Sequence, residues 1–221
     1  MIIGITGGIG SGKSTIAGQL REMGYAVYDT DSEAKRLIVE DAHVREQMEE
    51  LFGKEVYKDD VYQTAMVAQR VFADKSLLTQ LNAIVHPAVK ADIMRWAQKI
   101  NHATPRYTML HHATPHYTTL HHATPHYTTL HHTTPCFVEC AILYQAGFDK
   151  LCDKVIVVTA PEEVRLARAV ARDHSTIEKV RARMRAQETE KDILRADLVV
   201  NNDGKTSIPT LCEEIIRYFT R

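Results

Sequence analysis

Near the start of the chain an eight-residue stretch, Gly7-Gly8-Ile9-Gly10-Ser11-Gly12-Lys13-Ser14, lies between an apolar run, Met1 to Thr6, and an amphipathic run that begins at Ser14. No other feature restricts the fold so strongly. It meets the pattern G-x-x-x-x-G-K-[ST] at every fixed position, which requires a buried strand, a loop wrapped around phosphate, and a helix. Glycines let several backbone N–H groups turn toward one anion, and the following helix N-terminus attracts the same charge. Gly8, Gly10, Ser11, Gly12, Lys13, Ser14 and Thr15 are therefore the candidate nucleotide-binding residues. Lys13 would reach the β- and γ-phosphates, and Ser14 would offer its hydroxyl to Mg²⁺, a hard cation that takes oxygen ligands.

The rest of the chain supplies what such a loop needs. Strands are expected over 25–28, 136–143, 154–158 and 197–200, with helices over 161–171, 176–189 and 207–219. The near-continuous apolar runs from Cys136 and Lys154 suit a parallel sheet buried on both faces. The fold class predicted is α/β, a three-layer P-loop NTPase core with a five-stranded parallel sheet. Residues 32–100 read instead as consecutive helices (33–39, 42–52, 61–72, and 75–100 with a break near His86-Pro87), a helical subdomain inserted into the sheet domain. An arginine-rich stretch, 172–190, reads as a lid that would exclude water as a competing acceptor.

Residues 102–135 differ in kind. His102-Ala103-Thr104-Pro105-Arg106-Tyr107-Thr108-Met109-Leu110-His111 recurs nearly unchanged twice more, followed by a fragment. A proline in each copy opposes continuous helix, and Thr, Tyr and Leu favour extended chain, so a loop or irregular arm is expected. Nine of the 12 histidines fall in this array, which makes adventitious metal capture plausible, although a repeat's spacing is not that of a ligand set.

Bulk properties remove several classes. A net charge of -1 argues against non-specific nucleic-acid binding, and no apolar run approaches a membrane span. The expectation is a cytoplasmic protein, a monomer or weak homo-oligomer, without nucleic-acid or membrane partners. Cys136, Cys140, Cys152 and Cys212 lack C-x-x-C spacing and read as buried free thiols.

Outside the loop, the carboxylate at the tip of the second strand, Asp31, reads either as the base that takes a proton from an acceptor hydroxyl or as the N-cap of the next helix. A contact to a magnesium-bound water is the remaining reading. Arg165, Arg168 and Arg172 share a helix face and form either a clamp on the migrating phosphoryl group or a solvated basic face. Glu139, near a strand end, would hold a magnesium-bound water. Arg70 and His86 either bind the acceptor or, for His86 before proline, mark a structural break.

Several of these stretches in order resemble one family, the dephospho-CoA kinases. Gly4 to Thr15 is similar to its G-L-T-G-G-I-G-S-G-K-S-T, Tyr28-Asp29-Thr30-Asp31 to its I-D-A-D, and Arg70-Val71-Phe72-Ala73-Asp74 and His86-Pro87 to its acceptor-side elements. Leu166-Ala167-Arg168 through Arg172-Asp173, with Arg183 and Gln187, resembles its lid, and Ala196 to Gly204 its A-D-x-V-I-D-N-x-G. The resemblance implies ATP- and Mg²⁺-dependent phosphorylation of the 3′-hydroxyl of dephospho-CoA. It implies Asp31 as base, also touching the acceptor, and Lys13 and Ser14 as phosphate and metal anchors. Arg172 would be a lid arginine, Arg70 and His86 acceptor-side residues, and Asn202 and Gly204 neighbours of the adenine. Where the family reads V-P-L-L-F-E, this chain has Cys140-Ala141-Ile142-Leu143-Tyr144-Gln145, an amide in place of the glutamate. Another small-metabolite or nucleoside kinase, or a nucleotide-dependent binding module with a metal-binding arm, is the alternative reading.

Overall fold

The computed structural model describes residues 1–102, 134–187 and 190–220. The decapeptide array apart from its ends, and residues 188 and 189 of the expected lid, lie outside them. In chain order the elements are β1 (Ile2–Gly7), α1 (Lys13–Glu22), β2 (Val27–Asp29), α2 (Thr30–Glu40), α3 (Ala42–Phe52), β3 (Tyr57–Lys58), β4 (Val61–Tyr62), α4 (Thr64–Ala73) and α5 (Lys75–His102). They continue with β5 (Cys136–Glu139), β6 (Lys154–Thr159), α6 (Glu162–Asp173), α7 (Ile177–Ala186), α8 (Glu190–Ile193), β7 (Leu198–Asn201) and α9 (Ile208–Phe219).

Five strands form a parallel sheet in the order β2-β5-β1-β6-β7. Alternation along each strand sends side chains to two separate cores. Ile3, Ile5, Phe137, Ile156 and Val158 face α1 and α9 with Ile16, Leu20, Leu211 and Ile215. Tyr28, Val138 and Val155 face the other way, onto Leu37, Met48, Phe52, Val89 and Ile93 of the inserted helices. The expected three-layer α/β arrangement follows. β1 connects to β2 on one side of the sheet's centre and its neighbour β5 connects to β6 on the other, so the connections leaving these two adjacent strands diverge, and the loop after β1 opens at the place where ligands bind in such folds.

Four local expectations are corrected. The helix expected over 61–72 begins only at Thr64, because Tyr57–Lys58 and Val61–Tyr62 pair as a hairpin. Its turn, Asp59-Asp60, has both φ values positive, 51° and 61°, the tight hairpin geometry that aspartate tolerates. The break expected at His86-Pro87 is absent: α5 runs from Lys75 to His102 with Pro87 inside. Pro87 gives up one backbone hydrogen bond, yet Val85, Val89, Ile93 and Ala97 bury at intervals of four and hold the helix through it. β5 ends at Glu139 rather than 143, since Leu143 leaves the strand to fill the core beside Val138. The second strand is Val27–Asp29, displaced toward the site from 25–28.

The cysteines are free, with Cys136, Cys140 and Cys212 buried, and burial pushes the Cys140 and Cys212 thiols up to about 11. Among the described residues no helix is long and apolar enough to cross a membrane.

Candidate active site

Strand register sets the site. Asp29 lies opposite Glu139 and Ile5 opposite Glu139, so β2 and β5 end level with each other while β1 runs two residues further, to Gly7. Gly7 leaves β1 opposite Val158, and Asn201 ends β7 opposite Thr159. The loop from Gly7 to Ser14 opens into α1, whose N-terminus no side chain caps. The first N–H groups of a helix have no carbonyl four residues back, so these donors face whatever fills the loop.

Two glycines of the loop are fixed by their surroundings. Gly10 has φ 76° and Gly12 φ 91°. A Cβ at Gly10 would overlap the Arg165 carbonyl oxygen, and one at Gly12 the Asn202 amide nitrogen. α6 and the segment after β7 thus press directly on the loop backbone. Asn202 is buried, its Nδ2 donates to the Ser11 carbonyl at 2.9 Å, and Arg168 donates to the Asn202 carbonyl at 3.0 Å. The Ser11 and Thr6 hydroxyls are buried without partners among the described residues.

Ser14 and Glu139 meet: the Ser14 hydroxyl donates to Glu139 Oε1 at 3.0 Å. Burial raises the Glu139 carboxyl above its ordinary range, and Lys13 and the Ser14 hydrogen bond pull it back down while Asp29 and Asp31 push it up. A hydroxyl and a carboxylate beside an uncapped helix start form an oxygen donor set suited to a hard divalent cation. Thr30 Oγ1 donates to the Glu139 carbonyl at 2.9 Å and pins α2 to β5.

Asp31 is not the helix N-cap. Asp29 takes that role, its carboxylate accepting from the Asp31 N–H at 3.0 Å and the Ser32 N–H at 3.3 Å. One turn position into α2, Asp31 is exposed, and its carboxylate has no hydrogen bond or ion pair among the described residues. A capping carboxylate would be committed to backbone donors, whereas this one is free to take a proton.

The three arginines of α6 diverge. Arg168 is engaged with Asn202, and its Nη2 lies 3.6 Å from where a Cβ of Gly204 would stand. The Arg165 Nε is buried without a partner among the described residues, while its carbonyl backs Gly10. Arg172 is exposed and paired with Asp173 at 2.7 Å, and Arg183 of α7 reaches the same carboxyl. The two guanidinium groups hold Asp173 down at about 2. A solvated basic face therefore describes Arg172 alone.

Arg70 and His86 are not joined to the loop. Arg70 donates to the Phe52 carbonyl at 2.6 Å and pairs with Glu55 at 3.0 Å. His86 rests edge-on against Phe148, ring centroids 5.8 Å apart, and burial lowers its pKa. Gln145 is exposed in the turn after β5. Nothing in sequence spacing points to Asp29 as cap or Thr30 as pin, because both depend on where β2 ends. A cavity of about 390 Å³ between β7 and α9, lined by Leu198, Val200, Leu211 and Ile215, touches none of the Gly7–Ser14 loop.

The sequence model of the dephospho-CoA kinase family matches residues 1–116 and 116–207. A dephospho-CoA kinase from Porphyromonas gingivalis is 37% identical over 194 residues, 88% of this chain and 81% of that one. One from Bacteroides fragilis is 33% identical over 215 residues, 96% of this chain and 90% of that one. Among solved structures, TT1252 from Thermus thermophilus superposes with a TM-score of 0.74 at 29% identity, covering 100% of this chain and 98% of the other.

Proposed function

The chain belongs to the dephospho-CoA kinase family, and from that premise we propose that the loop after β1 holds ATP while Asp31 receives the proton of the 3′-hydroxyl of dephospho-CoA. The product is CoA, and the reaction completes coenzyme A synthesis. The observation that carries this reading is the parallel register of β1, β2 and β5, which gathers Lys13, Ser14, Glu139 and Asp31 at one sheet end.

Backbone N–H groups of Gly8, Gly10 and Gly12 to Thr15, together with the Lys13 ammonium, bind the β- and γ-phosphates. Ser14, with Glu139 behind it, would hold Mg²⁺, which when bound neutralises phosphate charge. Asp31 orients the acceptor hydroxyl and takes its proton as the oxygen bonds to the γ-phosphorus. The bond to the β,γ-bridging oxygen breaks, and ADP leaves. Arg172, once it exchanges Asp173 for phosphate, stabilises the migrating group from the lid, 172–190. Asn202 and Gly204 border the nucleotide. Residues 32–100 form the acceptor subdomain, in which Arg70 and His86 shape the binding surface.

The test is steady-state production of ADP with dephospho-CoA. Lys13→Ala should lower kcat by about a thousandfold, and Asp31→Asn by about 10²- to 10⁴-fold with ATP affinity kept. An Asp31→Asn protein within a few-fold of the parent would remove the base from this account.

A further inference from the structure

Residues Gly8 to Ser11 form a reverse turn closed by the Ser11 N–H donating to the Gly8 carbonyl at 3.1 Å. Gly10, third in the turn, has φ 76°, the conformation a type II turn reserves for glycine. The N–H of the second residue takes no part in the closing bond and must find a partner elsewhere. That residue is Ile9, and its N–H donates to Oε1 of Gln187 at 2.8 Å. The other end of the same carboxamide, Nε2, donates to the Ala141 carbonyl at 3.3 Å, two residues beyond Glu139.

We propose that Gln187 is a positioning residue of the donor site, whose carboxamide holds the Gly8–Ser11 turn against the segment after β5 so that the phosphate loop has its binding shape before ATP arrives. This rests on the reading of Gly7 to Ser14 as the triphosphate site. A carboxamide offers an acceptor at one end and donors at the other, and here both ends are used. Apolar contact brings the same parts together, since Ile9 packs with Leu166 and Ala169 of α6 and Val180 and Met184 of α7. Gln187, the residue that ends α7, adds the polar tie that fixes the turn's orientation. Asn202 does the matching work from the other side, on the Ser11 carbonyl. The turn is thus gripped by two amides from different elements, and a loop held in its bound shape loses less freedom when ligand arrives.

Gln187→Met keeps the length and apolar stem of the side chain and removes both hydrogen bonds. With Mg-ATP and dephospho-CoA as substrates, kcat/KM for ATP should fall about tenfold while KM for dephospho-CoA stays within a factor of two. If the side chain only packs, Gln187→Met behaves as the parent and Gln187→Ala alone is impaired, which overturns the proposal. A second variant, Ile9→Pro, removes the N–H itself at a turn position that proline favours. In that background Gln187→Met should change ATP affinity, measured by calorimetry on all four proteins, by less than threefold. A tenfold loss persisting there would show that the Ile9 contact is not the route. Lys13→Ala separates the two readings. If it is inactive while Gln187→Met is normal, only the role of Gln187 falls; if it is fully active, the triphosphate site itself is misplaced.

Discussion

The surroundings of the phosphate loop and the helical half of the molecule are built on different plans. Around the phosphate loop, contacts converge from across the chain: Arg165 on Gly10, Asn202 on Ser11, Gln187 on Ile9, Glu139 on Ser14. In the helical half, the polar groups satisfy one another. Arg36 pairs with Glu33, Glu40 and Asp92, the Tyr28 hydroxyl donates to Asp92 at 2.7 Å, and Arg70 is held by Phe52 and Glu55. The donor loop is shaped from outside, so its free groups remain available for phosphate. The helical half is a self-contained scaffold, and Asp31, at the start of α2 where that half meets the loop, has a carboxylate with no hydrogen bond or ion pair among the described residues.

The sharpest way to break that contrast is to add one methyl group to the loop. Gly10→Ala forces a side chain onto the Arg165 carbonyl at a positive φ. It should cost about 2 kcal/mol or more in unfolding free energy and lower kcat/KM for ATP by about a hundredfold. Gly24→Ala is the control: φ there is 90°, but nothing lies within 4 Å of the added carbon. It should cost about 1 kcal/mol and leave kinetics alone. Equal kinetic damage in both would mean that loop shape matters no more than general stability.

A smaller effect tests the other half. Arg70→Met removes a hydrogen bond to a carbonyl and an exposed ion pair, so stability should fall by about 1 kcal/mol. KM for dephospho-CoA should rise severalfold while KM for ATP is unchanged. A matching rise for ATP would show that the halves are not separable.

These differences also explain what the sequence could disclose. The loop was legible because its glycines, Lys13 and Ser14 are contiguous and each obeys a local steric or charge rule. The strands were legible for a similar reason, since near-continuous apolar runs such as those from Cys136 and Lys154 report a parallel sheet buried on both faces. α5 was misread because the proline rule is local, whereas the burial of Val85, Val89, Ile93 and Ala97 that overrides it is tertiary. Asp29 and not Asp31 is the N-cap because α2 begins at Thr30, three residues before the expected 33. Arg168 to Asn202 and Asn202 to Ser11 span 34 and 191 residues, and no spacing rule reaches that far.

The smallest predicted effect is a pH dependence confined to the helical half. His86 is half-buried against Phe148, and burial lowers its pKa below the ordinary 6.5. As pH falls through 6.5 the unfolded chain therefore binds a proton before the folded one does. Stability is full above that pH and is lost as pH falls toward the folded value. Between pH 7.5 and 5.5 the parent should lose roughly a degree or two more of Tm than His86→Phe, since the two proteins share every other titrating group. Because His86 touches Phe148 and not the loop, kcat/KM for ATP should keep the same pH profile in both proteins. A profile flattened by His86→Phe would place the imidazole's titration on the donor side and dissolve the division between the halves.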